Sequence, residues 1–272
     1  VNGIALLNTT VTARGNFNTL TATADVGRVV LADTSMNGAI KVNTTLGNDK
    51  LAFDITTTSP NIAGDAVIKG QALAHGDTLD VNILPSEFYL NEKKWDIAGG
   101  NTIVYTDGYL SVNNFSIQSG QQKIDVNSTS NGLLQSIGIN ISNLDAAEIA
   151  NVAGLSDYYL KGMINGTIKI DNMFTDLMVA ADIKASGVQF GKDTVGNVSV
   201  AGIYDHKKHL VTLAPTTGIY RDGKSVSASG KISFADDVTQ NIDAEINLNH
   251  AQVAWLSPLL LGYVSELTGE LD

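Results

Sequence analysis

The chain contains no cysteine. That absence excludes a disulfide scaffold, a Cys-ligated zinc site and thiol catalysis, and it fits an exported bacterial protein. Proline is scarce, with 4 residues in 272, and aromatic residues make up only 6%. Charged residues are few, at 17%, and they lean acidic, giving a net charge of −11. Such a balance lacks the clustered Lys and Arg that grip a nucleic-acid backbone or an anionic lipid surface. No nucleic-acid partner is expected. Long hydrophobic runs are missing too. The most apolar stretch, residues 253–264, is broken by Ser257, Pro258 and Gly262, whereas a spanning helix needs about 20 apolar residues. No basic-then-apolar leader follows Val1, and the chain starts without Met. Both features lead to the expectation that it is a piece of a longer protein.

What the chain does have is alternation. Apolar residues reach 43%, and most recur with a period of two. Leu51, Phe53 and Ile55 alternate with Ala52 and Asp54; Leu79, Val81 and Ile83 with Asp80 and Asn82. Ile137, Ile139 and Ile141 follow the same pattern, as do Leu177, Val179, Ala181 and Ile183, and Ile242 to Leu248. Strand side chains point to opposite faces in turn, so each run presents one apolar and one polar face. Turn signals separate the runs: Gly47-Asn48-Asp49, His75-Gly76-Asp77, Asn91 to Lys94, Thr106-Asp107-Gly108, Ser119-Gly120-Gln121 and Asp222-Gly223. Short turns between such runs make antiparallel hairpins. The expected fold is therefore all-β, a long antiparallel meander. About 20 strands fit the length, and an open sheet rarely exceeds about 10 without curling or splitting. The sheet must fold over, close into a barrel or stack.

Two segments break the alternation and predict short broken amphipathic helices at residues 144–161 and 248–265. In the first, Asp145 and Glu148 have capping-box spacing, Ile149, Val152 and Ala153 share a face, and Gly154 stops the helix. A second short helical piece is expected over Ser156–Leu160. In the second segment, Leu248–Leu256 forms the first piece; Ser257 then caps a further helix with Pro258 at its first position. Leu144, Ala147, Ala150 and Tyr159 match Leu248, Ala251, Ala254 and Tyr263 at an offset of 104 residues. The expected organisation is one continuous repeating array: a partial block at 1–64, a block at 65–168 and a block at 169–272. The last block ends as its closing strand begins, which points to a fragment of a longer array.

Chemical motifs are sparse. The histidines are His75, His206, His209 and His250. His206 and His209 form one pair, which lies between two strands and reads as a polar turn. Asp236-Asp237 falls in a turn. Gly99-Gly100 lacks the strand–loop–helix setting of a phosphate cradle, and no nucleophile elbow is present. No enzymatic activity, metal site or cofactor is expected. Seven Asn-x-Ser/Thr sequons, at Asn8, Asn43, Asn114, Asn127, Asn140, Asn165 and Asn197, match the Asn-rich composition and carry no assignment.

Residues 81–97, VNILPSEFYLNEKKWDI, with 107–120, DGYLSVNNFSIQSG, resemble the TamB branch of the AsmA-like family. The segment LSPLLLGYVSELTGEL, 256–271, is similar to that family's strand–helix–strand junction. The Asn/Thr-rich strands resemble versions found in Bacteroidetes-like bacteria. The resemblance implies a periplasmic protein, tethered to the inner membrane by a segment absent from this chain. It also implies an elongated, open, U-shaped β-groove with an apolar interior. The implied task is moving phospholipid between inner and outer membranes, with a role in outer-membrane protein assembly. The implied partners are phospholipid acyl chains and an outer-membrane assembly barrel protein met through regions outside this chain. On that reading Leu51, Phe53, Ile55, Leu79, Val81, Ile83, Ile137, Ile139, Ile141, Leu177, Val179 and Ile183 line the groove. Trp255, Leu259, Leu260 and Leu261 cover or gate it. The alternative from another class is a secreted β-repeat adhesin or surface-fibre segment without a lipid ligand.

Overall fold

The computed structural model describes residues 4–16, 18–31, 34–36, 39–58, 65–129, 135–152, 159–234, 241–252 and 269–271. They form an almost purely β structure in two compact units, Val1–Ser128 and Thr129–Asp272.

The first unit opens with β1 (Ile4–Gly15), β2 (Thr19–Leu31), β3 (Thr34–Met36), β4 (Ala39–Gly47), β5 (Lys50–Thr58) and β6 (Ala66–His75). Strands β1, β2, β4, β5 and β6 pair antiparallel in that order, and β3 pairs with the end of β2 beyond β4. Then follow β7 (Thr78–Ile83), β8 (Ser86–Leu90), β9 (Lys93–Ile97), β10 (Thr102–Thr106), β11 (Tyr109–Asn113), β12 (Phe115–Ser119) and β13 (Gln122–Ser128). These shorter pieces are halves of longer strands. Both β7 and β8 pair with β6, and both β9 and β10 run back beside them. Pro85 lies between β7 and β8, and its missing N–H breaks the ladder there. The predicted turns are present. Asn48 and Asp49, at φ 50° and 58°, and Asn91 and Glu92, at 49° and 65°, have the left-handed pair of a type I′ hairpin, whose twist matches the strands.

The second unit contains β14 (Ser136–Asp145), α1 (Ala146–Val152), β15 (Leu160–Asp171), β16 (Met178–Phe190), β17 (Asp193–Asp205), β18 (Leu210–Arg221), β19 (Lys224–Ser233) and β20 (Ile242–Asn249). Its seven long strands pair antiparallel in strict chain order. A small separate pair joins β21 (Ala251–Gln252) to β22 (Glu270–Leu271). No pairing between β20 and β14 occurs among the described residues, so this sheet is open.

Side chains complete the ladders where backbone pairing lapses, at the breaks between short strands in the first unit and at several of the β-bulges in the second. In the first unit, Ser86 Oγ accepts the Lys69 N–H at 2.9 Å and Asn101 Oδ1 accepts that of Ile83 at 2.8 Å. Ser128 Oγ takes the Val112 N–H and Asn127 Oδ1 that of Asn114, both at 2.8 Å. In the second unit, Asn165 accepts from Asn143 at 2.9 Å, Asn197 from Gly187 at 3.2 Å and Thr217 from Ala201 at 3.0 Å. A buried backbone donor left without an acceptor costs about 1–3 kcal/mol, which bears on the part-buried bonds of Ser86, Asn101, Ser128 and Thr217; those of Asn127, Asn165 and Asn197 are exposed. Bulges in turn bend strands and raise their twist.

The helices depart from expectation. The first forms over Ala146–Val152, and Asp145 Oδ1 accepts the Ala147 N–H at 3.0 Å, as its cap position predicts. Leu144 and Asp145 still belong to β14, and Leu160 belongs to β15; residues 153–158, with Ala153, Gly154 and most of the expected second helical piece, lie outside the described residues. The buried side of α1 carries Ala146, Glu148 and Ala150, whereas Ile149 is 43% exposed; small residues let the helix sit close to β14 and β15. The second predicted helix does not start at Leu248. Residues 242–249 stay on β19 up to the Ser225–Asn249 pair, and Ala251–Gln252 is strand. The cause is local. Asn249, which stands where Asp145 caps α1, spends its Nδ2 on Gly223 O at 3.0 Å. Residues 253–268, including Trp255 and Leu259 to Leu261, lie outside the described residues.

Candidate functional site

Cross-strand register builds uninterrupted apolar rows. Directly opposed residues share a face, with Cβ atoms about 5 Å apart. In the second unit one row runs Ile137, Ile170, Val179, Tyr204, Val211, Ile232, Ile242, one residue from each of seven strands. Another runs Leu144, Ile164, Ala185, Val198, Ile219, Val226, Leu248. Between them lie Ile139, Ile168, Ala181, Gly202, Leu213, Gly230 and Ala244. None of these residues is charged. The opposite face carries Lys169, Asp182, Lys184, Lys231, Asp243 and Glu245.

The first unit has its own seven-strand row: Leu20, Leu46, Leu51, Ala72, Val81, Ile103 and Val112. Phe53, Gly70 and Ile83 form the adjacent row, and Ile55 with Ile68 the next. Thus Leu51, Phe53, Ile55, Leu79, Val81 and Ile83 share one face of the first unit. Ile137, Ile139, Ile141, Val179 and Ile183 share one face of the second. Leu177 precedes β16, and its carbonyl accepts the His206 N–H at 3.0 Å.

Packing does not cover these rows with a second layer among the described residues. The substantial contacts in the second unit join hydrogen-bonded neighbours, apart from α1 against β14 and β15, and β21 beside β19. Exposure changes along a row: Ile137 is 5% exposed and Ile242 65%. In the first unit Leu20 is 43% exposed and Val112 8%. Residues of these rows that stay in water forgo the roughly 1.5–3 kcal/mol that full burial of a large aliphatic side chain brings. Contiguous apolar surface of that kind marks a binding face.

Sequence reasoning named only part of each row. Ile164, Ile168, Ile170, Val198, Ile219, Val226 and Ile232 complete them, and the same period-two signal was present in β15 and β19. It missed the side-chain acceptors Asn127, Asn165 and Asn197, which it met only as sequons. The signal that marks them is an Asn within an otherwise alternating strand.

The histidine pair sits in a turn, as expected. The rings of His206 and His209 lie 5.4 Å apart, and the Tyr204 hydroxyl meets His206 Nδ1 at 3.2 Å. Lys208 Nζ donates to Asp205 at 2.7 Å, and Lys207 pairs with Asp176 at 3.2 Å. Among the described residues no three His, Asp or Glu side chains come together to hold a metal, and no helix is long and apolar enough to cross a membrane.

No protein-family model matches this chain, and no curated protein or solved structure matches it.

Proposed function

We propose that the chain is a segment of a conduit for lipid acyl chains, curled so that its apolar rows line an open groove. The observation that carries this reading is the uncharged face of the second unit, three rows deep and seven strands wide, which no second β-layer covers among the described residues. At about 4.8 Å per strand, seven strands extend about 29 Å. The bulges supply a means of curling, since each one bends its strand.

The energetics suit the task. Each acyl CH₂ kept out of water contributes about 0.8 kcal/mol. Aliphatic walls attract lipid tails without fixing one pose, so a chain can slide from row to row. The headgroup stays in water and needs no dedicated charged site along the path. The same reading puts the chain in the space between two membranes, as its TamB-like segments imply.

Mass spectrometry of lipids extracted from the purified protein tests the proposal. Co-purified phospholipid is the expected result. Ile139→Asp and Val179→Arg place charge on the rows beside Ile168 and Ile170, and each is expected to abolish lipid retention while the β signature in circular dichroism persists. Lipid-free wild-type protein, or folded variants that retain lipid normally, would overturn the conduit and favour a surface fibre.

A further inference from the structure

The face of the second unit opposite its apolar rows holds a depression of about 460 Å³, within the size range of small-molecule sites. Asn165, Lys184 and Ser199 stand side by side in it as direct register partners on β15, β16 and β17. Asn197 and Tyr220 form a second opposed pair on β17 and β18. The partner of Ser199 on β18 is Gly218, which has no side chain. Opposed residues hold their Cβ atoms about 5 Å apart, and their polar tips can meet on one small molecule.

Ser186 and Tyr220 spend their hydroxyls on backbone carbonyls, Met163 O and Thr216 O, but other donors of this depression are unspent. Ser199 is only 8% exposed, and its hydroxyl has no hydrogen-bond partner. Asn165 and Asn197 are each held by the amide oxygen, which caps a bulge N–H; each Nδ2 remains available. Lys184 makes no ion pair among the described residues, and no carboxylate lines the depression. A neighbouring depression of about 450 Å³ provides the contrast. There Lys169 is already bonded to Asp171 at 3.0 Å, and Asp182 lines the wall.

We propose that the Asn165–Lys184–Ser199 depression binds a phosphate monoester. A phosphate presents three strong acceptor oxygens. Lys184 Nζ and the Asn Nδ2 groups supply donors from several sides, with the buried Ser199 hydroxyl at the floor between them, and the charge-assisted bonds among them are the stronger ones. The organic body of the ester rests on the Tyr220 ring. The net charge of −11 opposes anions at long range, so recognition is short-range and affinity falls as salt rises. The ester is either a soluble metabolite-sized molecule or a lipid headgroup; both present the same phosphate.

The test is a titration of the ¹⁵N-labelled chain with butyl phosphate, with butanol as the uncharged control. Butyl phosphate is expected to shift the Ser199 and Tyr220 amides, and butanol to leave them in place. Lys184→Gln, on an exposed side chain, is expected to weaken binding at least tenfold, Ser199→Ala several-fold, and Lys169→Gln not at all. Flotation with phosphatidic-acid vesicles that is lost in Lys184→Gln identifies a headgroup as the source. Binding of butyl phosphate without flotation identifies a soluble ester. Absence of shifts, or equal affinity in Lys184→Gln, would overturn the proposal. Because the depression lies on the face opposite the apolar rows, that failure leaves the lipid conduit standing.

Discussion

The ring of Phe53 lies across Gly70, its direct partner on the neighbouring strand, so closely that a Cβ on Gly70 would run into the ring. The arrangement pairs an aromatic with a bare backbone, which lets the ring cover surface that a side chain would otherwise occupy. Gly70→Ala is therefore expected to destabilise the protein by about 1–3 kcal/mol, the range for overpacking, even though Ala normally improves on Gly in a strand. Phe53→Leu in the same background removes the collision and is expected to restore part of that loss. Urea denaturation of the four proteins of this cycle measures both effects.

Asp145 closes β14 and opens α1 in one residue. Its Oδ1 accepts the Ala147 N–H at 3.0 Å, one of the donors that a helix start leaves over. Asp145→Ala is expected to cost about 1 kcal/mol, the usual loss at such a cap, while Asp145→Asn keeps the acceptor and stays near wild type. Thermal unfolding of the two variants separates the cap from the charge.

The common face of Ile137, Ile139 and Ile141 was legible because strand geometry permits no other arrangement of a period-two pattern. Their partners were not. Which residue stands opposite Ile139 depends on turn lengths and on bulges, and a bulge shifts every pairing beyond it. The bulge acceptors were hidden for a related reason: Asn165 looks like any polar strand residue until Asn143 is known to lie opposite. At residues 248–252 the repeat misled. Asn249 resembles Asp145 in size and position, but its side chain reaches to Gly223 O and its backbone stays paired with Ser225 on β19. The donor-lined depression was invisible, since Asn165, Lys184 and Ser199 are far apart in sequence and meet only through register.

The turn after β17 carries a small pH dependence. Lys208 donates its Nζ and its backbone N–H to the Asp205 carboxylate, and these bonds hold Asp205 below the ordinary aspartate range. A lowered folded-state value means that the contribution is fully present above the unfolded pKa and fades as pH falls through the folded one. Asp205→Asn keeps an acceptor for the Lys208 N–H but loses the charge. Its stability deficit is expected to be present at neutral pH and to vanish in acid, and to shrink with salt because the pair is exposed. A deficit that stayed constant from neutral pH into acid would show that the charge contributes nothing.

Asn101 is expected to be the most sensitive polar position of the first unit. It is buried, accepts the Ile83 N–H at 2.8 Å, and donates Nδ2 to Ile83 O at 2.8 Å and to Ala98 O at 2.9 Å. Its own carbonyl receives Asn82 Nδ2 at 2.8 Å. Asn101→Ala strands one donor and two acceptors and is expected to cost on the order of 3 kcal/mol, with faster hydrogen exchange at the Ile83 amide. Asn101→Asp is nearly the same size, so packing alone predicts little change. Hydrogen bonding predicts otherwise. A carboxylate can still accept from Ile83 but turns an oxygen toward two carbonyls, and burial also disfavours its charge, so its folded-state pKa rises. Protonation then restores one donor. Asn101→Asp is expected to be much less stable than wild type at neutral pH and to regain stability as pH falls through that raised value. The opposite trend, or none, would show that Asn101 fills space rather than joins strands.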